Sequence, residues 1–176
     1  IPADRAVIVY LGLLLPHQGI DLLMDAIPKV VAERSEAHFL VMGYPNVDRY
    51  RAYAEQRDVA DHVTFTGAVR YGQAAQFLGL GDAAVSPKIS ATEGNGKLYN
   101  YMACGLPSVV FDNPVNREIL GDTGVYAESA TPDALAAKLS ELLADSARAR
   151  ELGAAARQRV EARLSWRSAV ERIAEG

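Results

Sequence analysis

Several features that would point to a particular class of protein are missing from the sequence. It contains one cysteine, Cys104, which excludes an internal disulfide framework. It contains three histidines, and no spacing among them and Cys104 resembles a zinc site. No apolar run approaches the roughly 20 residues needed to cross a bilayer, and no signal peptide is recognised. The net charge of −4 argues against wholesale nucleic-acid binding, which needs a basic surface, but it leaves room for a local basic pocket.

Motifs that would define a common chemistry are missing as well. The sequence has no G-x-G-x-x-G dinucleotide fingerprint, no P-loop and no G-x-S-x-G nucleophile elbow. It also lacks an Asp-x-Asp pair, so a site that binds a diphosphate through a metal ion has no anchor. We therefore expect no metal and no separate cofactor.

The length and the start of the chain suggest a single domain taken from a longer protein. The 176 residues suit one domain with a full core, and no repeat, low-complexity tract or linker interrupts them. The sequence begins with Ile1-Pro2 rather than Met, and a strand-like run starts by Ala6. We therefore treat residues 1–176 as one domain and expect it to be an excised piece.

Apolar runs that suit strands alternate with apolar residues at helical spacing. The predicted strands cover residues 6–11, 37–42, 63–66, 83–86, 108–111 and 124–127. The predicted helices cover residues 21–34, 47–58, 71–80, 96–104, 115–120, a segment that starts at Thr131-Pro132-Asp133, 146–163 and 165–174. This alternation predicts an α/β fold: a Rossmann-like, doubly wound, mainly parallel sheet in three α/β/α layers. Ligands of such folds bind beyond the carboxyl ends of the strands, near the switch in strand order.

The segment after the fourth predicted strand is the richest in candidate ligand-binding groups. Gly94 and Gly96 allow close backbone approach and unusual backbone angles, and the helix start behind them offers free N–H groups to an anion. Lys97 lies in the first helical turn, where it opposes the helix dipole unless an anion such as phosphate binds. A solvated Lys97, or one paired with Glu93, is the alternative, and local chemistry alone leaves both interpretations open.

The segment after the first strand is a weaker candidate. Gly12 and Gly19 flank a strand-to-helix turn, but such turns use glycine for conformational reasons alone. His17 in this turn is more typical of a surface residue than of a catalyst. The arginines from Arg148 to Arg163 are more typical of a solvated helix face than of a nucleic-acid patch.

Taken together, the order and spacing of short segments resemble a known family. The matching segments are Tyr10–Gly12, Gly19–Leu23, Leu40–Gly43, Val63–Val69, Gly81–Pro87, Glu93-Gly94, Tyr101–Val110 and Arg117–Leu120. In this pattern the chain resembles the C-terminal, nucleotide-sugar-binding domain of family 4 glycosyltransferases, retaining enzymes with the GT-B fold. The resemblance implies a metal-independent transfer of a sugar from a nucleotide donor.

The resemblance also implies roles for individual residues. Glu93 matches the first of the family's paired glutamates, which contacts the donor sugar, and Lys97 joins it as the second expected catalytic residue. The remaining residues expected to bind the donor are Gly12, Gln18, Val69, Arg70, Lys88, Gly94, Asn95, Gly96, Leu98 and Asn100. Within this set, the loop from Gly94 to Leu98 would lie against sugar and diphosphate, and Val69-Arg70 would lie near the base.

The chain departs from the family pattern at three positions. The family has Arg after Gly12 and Lys before Gly19, where they clamp the diphosphate, whereas this chain has Leu13 and Gln18. Lys88 and Lys97 are the candidate substitutes. The second glutamate, which holds the ribose, is replaced by Asn100, with six residues between it and Glu93, whereas the family's seven intervening residues would place it at Tyr101.

These departures leave three hypotheses. The first is the donor-binding domain of a hexosyltransferase-type glycosyltransferase, inactive alone because the N-terminal acceptor-binding domain is missing. The second is a non-catalytic scaffold of similar fold that binds a nucleotide or glycan, and the third is a sugar-nucleotide epimerase. The expected partner is a nucleotide-sugar and not a nucleic acid. We expect a cytoplasmic location, with peripheral attachment of the full-length enzyme to a membrane left open.

Overall fold

A computed structural model describes residues 1–90 and 92–163, and the predicted helix over residues 165–174 lies outside the described residues. The strands are β1 (Ala6–Leu11), β2 (Ala37–Met42), β3 (Val63–Gly67), β4 (Ala83–Ser86), β5 (Ser108–Phe111) and β6 (Gly124–Ala127). The helices are α1 (Ile20–Glu33), α2 (Val47–Glu55), α3 (Tyr71–Leu78), α4 (Lys97–Ala103), α5 (Pro114–Leu120), α6 (Pro132–Ala144) and α7 (Ser146–Arg163). The predicted elements within the described residues are confirmed, with shifts of up to three residues at their ends.

The largest of these shifts is at the end of α2. The sequence predicts a helix through residue 58, but the helix ends at Glu55. Asp58 has a φ of 55°, and the N–H of Val59 turns back to the carbonyl of Ala54. A left-handed residue cannot continue a right-handed helix, so the chain leaves α2 early and enters β3 through a short 3-10 turn, Ala60–His62.

All six strands run parallel in one sheet, in the order β3-β2-β1-β4-β5-β6. The chain builds outwards from β1 to β3 and then returns to the other side of β1, so the order reverses between β1 and β4. This reversal is the switch point at which doubly wound folds bind their ligands.

The sheet is covered on both faces, which confirms the three-layer prediction. On β1, Ile8 and Tyr10 face a cluster that includes buried residues of α1, α2 and α6. Val7 and Val9 face the opposite cluster, which includes buried residues of α3, α4, α5 and α7. The four inner strands, β1, β2, β4 and β5, are buried on both faces and are therefore mostly apolar without alternation. The edge strands β3 and β6 are only partly buried.

The arginine-rich helix α7 is only partly the solvated face expected from its sequence. Arg148 and Arg157 are exposed and pair with Glu141 and Glu161. Arg159, in contrast, donates from Nε to the carbonyl of Ile119 at 2.8 Å and also bonds the carbonyl of Glu118, so it caps the end of α5. Among the residues described above, no helix combines the length and the apolar character that crossing a bilayer requires.

Candidate functional site

The carboxyl ends of β1 and β4 flank the switch point, where doubly wound folds have their ligand crevice, and the connections leave there to opposite faces of the sheet. Two loops line this crevice: the β1 loop, residues 12–19, and the β4 loop, of which the structure describes residues 87–90 and 92–96. Gly19 has a φ of 76°, and a Cβ there would overlap the carbonyl of Pro87. The two loops therefore lie against each other, and glycine is the residue that lets them meet.

Tyr101 ties the two strands together beneath this crevice. Its hydroxyl accepts a hydrogen bond from the N–H of Leu11 at 2.8 Å and donates to the carbonyl of Val85 at 3.3 Å. The side chain is fully buried, and this burial raises the pKa of the phenol far above its ordinary value. Tyr101 is therefore unavailable to a ribose, which leaves the half-buried Asn100 as the candidate for that role.

Lys97, Gln18 and Gly12 lie together at the carboxyl ends of β1 and β4. Lys97 Nζ donates to Oε1 of Gln18 at 3.1 Å and lies 4.7 Å from the centre of the Tyr10 ring. A Cβ at Gly12 would lie 2.8 Å from the same Nζ, so the glycine leaves room for the ammonium. Burial, and then repulsion from Lys88, lower the pKa of Lys97 to about 7. An anion that entered here would favour the charged form of this amine and accept a charge-assisted hydrogen bond from it.

The Lys88 side chain forms contacts within the β4 loop, whereas the sequence predicts that it binds the donor. Its side chain is 8% exposed, and Nζ donates to the carbonyl of Gly94 at 2.9 Å and lies 3.1 Å from Oε2 of Glu93. The ion pair of Glu93 is thus with Lys88 and not with Lys97, which corrects the alternative considered from the sequence. Lys88 braces the β4 loop, while the Glu93 carboxylate is 66% exposed beside the crevice.

The side chain of Asn95 is committed to the protein itself. It is 3% exposed, accepts from the Ser86 hydroxyl at 3.1 Å and donates to Oδ1 of Asn116 at 2.9 Å. Asn116 in turn donates to the carbonyl of Phe111 at 2.8 Å. This buried polar chain holds the β4 loop to β5 and α5, so the expected contact of the Asn95 side chain with a donor is corrected to a structural role. Asn116 could not be assigned this role from the sequence, because nothing near it distinguishes it from a surface asparagine.

The start of α4 offers fewer free N–H groups than the sequence suggested. The N–H of Leu98 donates to the carbonyl of Asn95 at 3.0 Å, and that of Tyr99 to Gly96 at 3.3 Å. The Leu98 side chain is fully buried in the core beneath α4. The expectation that Leu98 contacts the donor is therefore corrected, since both its N–H and its side chain already have partners.

Gly94 and Gly96 do not have the unusual backbone angles expected of them. Gly96 has φ −57° and ψ −26°, which any residue adopts. A Cβ at either position would meet no protein atom within 4 Å. The protein's own packing therefore does not require glycine at these two positions.

The two residues expected near the base lie apart from this cluster. Val69 is half-buried and Arg70 is exposed, directly after β3 and before α3. Because β2 separates β3 from β1, a base at Val69-Arg70 and a diphosphate at Lys97 would be joined across the end of β2. His17 is exposed on the β1 loop, as expected of a surface residue. No metal-binding group of three or more His, Cys, Asp or Glu side chains occurs in the part of the chain that the structure describes.

The chain belongs to the family of glycosyl transferases group 1, whose model matches residues 1–159. The resemblance found in the sequence is thereby confirmed, and the parallel sheet confirms the expected fold, that of the C-terminal half of GT-B glycosyltransferases.

Two curated relatives illustrate the family. One is the GDP-mannose-dependent monoacylated alpha-(1-6)-phosphatidylinositol monomannoside mannosyltransferase of Corynebacterium glutamicum, which is 32% identical over 169 residues, covering 91% of this chain and 44% of that protein. The other is the GDP-mannose-dependent alpha-(1-6)-phosphatidylinositol monomannoside mannosyltransferase of Mycobacterium tuberculosis, 29% identical over 181 residues, covering 98% of this chain and 47% of that protein. The chain thus spans about half the length of these relatives.

Solved structures share the fold. HepE of Anabaena, in complex with UDP and glucose, superposes with a TM-score of 0.86 at 16% identity, covering 98% of this chain and 48% of that one. The C-terminal domain of a group 1 glycosyl transferase, LpcC of Francisella tularensis, gives a TM-score of 0.79 at 18% identity, covering 94% of this chain and 89% of that one.

Proposed function

We propose that this chain holds the nucleotide-sugar donor of a retaining, metal-independent glycosyltransferase, with its diphosphate at Lys97. The observation that carries the proposal is the Lys97 ammonium, held by Gln18 and the Tyr10 ring at the switch point of a group 1 glycosyl transferase domain. The two curated relatives are named for GDP-mannose, which makes GDP-mannose the first donor to test.

In this proposal Lys97 stabilises the leaving group. When the bond between the anomeric carbon and the diphosphate oxygen breaks, negative charge develops on the diphosphate. A cation that is already in place, with little water around it, stabilises that charge without having to reorganise. This gives Lys97 the role that Arg and Lys of the β1 loop have in the family pattern.

The other groups would bind the remaining parts of the donor. Glu93 presents an exposed carboxylate, steadied by Lys88, that can accept hydrogen bonds from sugar hydroxyls. Asn100, on α4, can hydrogen-bond the ribose without adding charge. Val69 and Arg70 would flank the base.

The acceptor would bind to the rest of the full-length protein. Because the chain spans about half of its relatives, we propose that a second domain completes the enzyme and that this chain alone transfers no sugar. The relatives are named for phosphatidylinositol mannosides, so a glycosylated lipid headgroup is the first acceptor class to test. Such an acceptor fits a cytoplasmic enzyme at the membrane periphery.

A titration of the chain with GDP-mannose, GDP and a UDP-sugar tests the donor proposal. A nucleotide at a hundred times its dissociation constant should stabilise the fold by about 2.7 kcal/mol. Lys97→Ala should abolish binding, whereas Lys29→Ala, which removes a lysine paired with Asp133 on the surface, should not change it. If Lys97→Ala binds like the parent, the diphosphate site lies elsewhere and the non-catalytic scaffold becomes the better hypothesis.

A turnover measurement on the full-length enzyme tests Glu93. Glu93→Ala should cut turnover by a factor of about ten or more, while stability changes by less than about 1 kcal/mol because the carboxylate is largely exposed. Glu161→Ala, which breaks an exposed ion pair on α7, is the matched control. Normal turnover of the Glu93 variant would remove Glu93 from the reaction.

A further inference from the structure

We infer that Gln18 and Tyr10 are positioning residues, which hold the Lys97 ammonium in the crevice and keep it free for a diphosphate. This inference rests on the proposed function and assigns Gln18 a role different from direct contact with the donor. It also explains how the chain functions with a glutamine where the family pattern has a lysine.

Three separate elements bring these side chains together. Tyr10 lies near the end of β1 with 1% of its surface exposed, and its hydroxyl donates to the carbonyl of Leu13 at 2.8 Å. Gln18 ends the 3-10 turn Pro16–Gln18, and its N–H donates to the carbonyl of Leu15 at 2.9 Å. Lys97 arrives from α4. The Tyr10 hydroxyl and the Gln18 backbone are fixed by their own hydrogen bonds. Both residues are therefore already in position to contact the Lys97 ammonium.

The position of Gln18 is fixed further by the residue that follows it. Gly19 adopts a φ of 76°, donates from its N–H to the carbonyl of Pro16 at 2.8 Å, and lies against Pro87 of the other loop. The backbone that carries the Gln18 side chain is therefore held in place, and Oε1 of that side chain lies 3.1 Å from Lys97 Nζ.

A neutral acceptor is the suitable partner for a cation that must bind an anion. A glutamate at position 18 would pair with Lys97 and repel a diphosphate, and a lysine would repel Lys97 at the observed distance of 3.1 Å. Glutamine accepts one hydrogen bond from the ammonium and leaves its charge uncompensated. The face of the Tyr10 ring adds attraction for the ammonium without neutralising it.

The charged groups around Lys97 leave its protonation responsive to a ligand. Lys88 repels it from the β4 loop, and the nearest carboxylate of that loop, Glu93, is paired with Lys88. Tyr10 stays neutral, because burial raises the pKa of its phenol. With the pKa of Lys97 at about 7, an arriving diphosphate should draw a proton onto its amine.

Proton uptake on GDP binding, measured by calorimetry in two buffers of different ionisation enthalpy, tests the inference. UDP is titrated in parallel. The parent chain should take up a fraction of a proton at pH 7 and a larger fraction at pH 8, because less of Lys97 is protonated before GDP binds. Gln18→Met removes the acceptor from the ammonium, so it should lower the pKa of Lys97, increase the uptake at pH 7 and weaken binding about tenfold at pH 8.

Gln18→Glu should have the opposite effect to Gln18→Met on proton uptake, but like Gln18→Met it should weaken GDP binding. The new carboxylate should keep Lys97 charged, which abolishes the uptake, and it should weaken binding by repelling the diphosphate. A merely structural role for Gln18 would not move the uptake in opposite directions in the two variants. Gln76→Met and Gln76→Glu, at an exposed position near the end of α3, are the matched controls and should behave like the parent.

Tyr10 is tested with a pair of variants in the same assay. Tyr10→Phe keeps the ring face and should keep the uptake, whereas Tyr10→Leu should lower the affinity for GDP several-fold and increase the uptake at pH 7. Thermal unfolding of each variant establishes that it is folded before it is titrated.

The outcomes separate this inference from the proposed function. If Lys97→Met loses binding but both Gln18 variants bind and take up protons like the parent, Gln18 does not position Lys97 and the proposed function stands. If the parent binds neither GDP nor UDP, both the proposed function and this inference are overturned.

Discussion

The β1 loop and the β4 loop face each other across one crevice, but they are built in different ways. The β1 loop is fixed by its backbone: the N–H of Gly12 donates to Met42 and the N–H of Leu14 donates to Tyr44. Its glycines are required by close contacts, because a Cβ at Gly19 would overlap Pro87. The β4 loop is fixed by side chains, through Lys88 and the buried polar chain of Ser86, Asn95 and Asn116.

This difference separates residues needed for folding from residues open to a ligand. In the β1 loop the protein's own atoms fill the space beside the glycines. In the β4 loop the space beside Gly94 and Gly96 is empty of protein within 4 Å. The same residue type therefore serves packing in one loop and leaves room for a ligand in the other.

The largest expected effect comes from adding one methyl group to the β1 loop. Gly19→Ala places a Cβ against the Pro87 carbonyl in a left-handed conformation, which costs about 1–2 kcal/mol before the overlap is counted. With the displacement of the β4 loop, we expect a loss of about 3 kcal/mol in the free energy of unfolding, measured by denaturant titration. A loss below about 1 kcal/mol would mean that the two loops are not locked together.

The second effect tests the side-chain support of the β4 loop. Asn116→Leu leaves the Asn95 amide and the Phe111 carbonyl buried without their partner, so we expect a loss of about 2–3 kcal/mol in unfolding free energy. Asn113→Ala, in the same helix, removes only an N-cap hydrogen bond to Asn116 and should cost about 1 kcal/mol. Equal losses in the two variants would show that the buried chain contributes nothing beyond helix capping.

The fold could be predicted from the sequence because each element carries its own local signal. Buried parallel strands are apolar on both faces, so segments such as Ala6–Leu11 are continuous apolar runs. Helix caps are equally local: Thr131 caps α6 by accepting from the N–H of Ala134. The predicted helix ends are less accurate, as at Asp58. There a single left-handed backbone angle ends the helical segment, and no residue pattern predicts that angle.

The site could be predicted less completely because it depends on contacts between distant residues. The place of Lys97 after a strand and two glycines predicts a phosphate-binding role, which stays a prediction. The sequence predicts that Gln18, 79 residues away, contacts the donor, whereas in the structure its Oε1 accepts a hydrogen bond from Lys97. Asn95 and Leu98 were assigned to the donor by position in a motif, and only the packing shows that they face inwards.

The third effect concerns the charge in the crevice and has a defined pH dependence. The folded-state pKa of Lys97, about 7, lies below its ordinary value of 10.5, so the cost of burying the charge is fully present below pH 7 and disappears as the pH rises towards 10.5. Lys97→Met should therefore have its largest stability advantage over the parent below pH 7, and this advantage should fall by about 2–3 kcal/mol between pH 7 and pH 10. Thermal or denaturant unfolding across this range measures it, and an advantage that grows with pH would contradict the assignment.

The smallest expected effect on stability comes from the β4 loop glycines. Gly94→Ala and Gly96→Ala add a Cβ into empty space without a left-handed angle, so they should raise stability by about 0.5 kcal/mol by restricting the unfolded chain. If the β4 loop lies against the donor, the same methyl groups should weaken binding of GDP or GDP-mannose several-fold, as measured by calorimetry.

A third glycine provides the control for this comparison. Gly72, in the first turn of α3, also has no protein atom within 4 Å of a built Cβ and no left-handed angle. Gly72→Ala should give the same small gain in stability, because its effect on the unfolded chain is the same, but it should leave nucleotide affinity unchanged. A drop in affinity at Gly94 or Gly96 alone would then come from contact with the ligand. If all three variants bind like the parent, the empty space in the β4 loop is not where the donor lies, and the contrast between the two loops reflects packing alone.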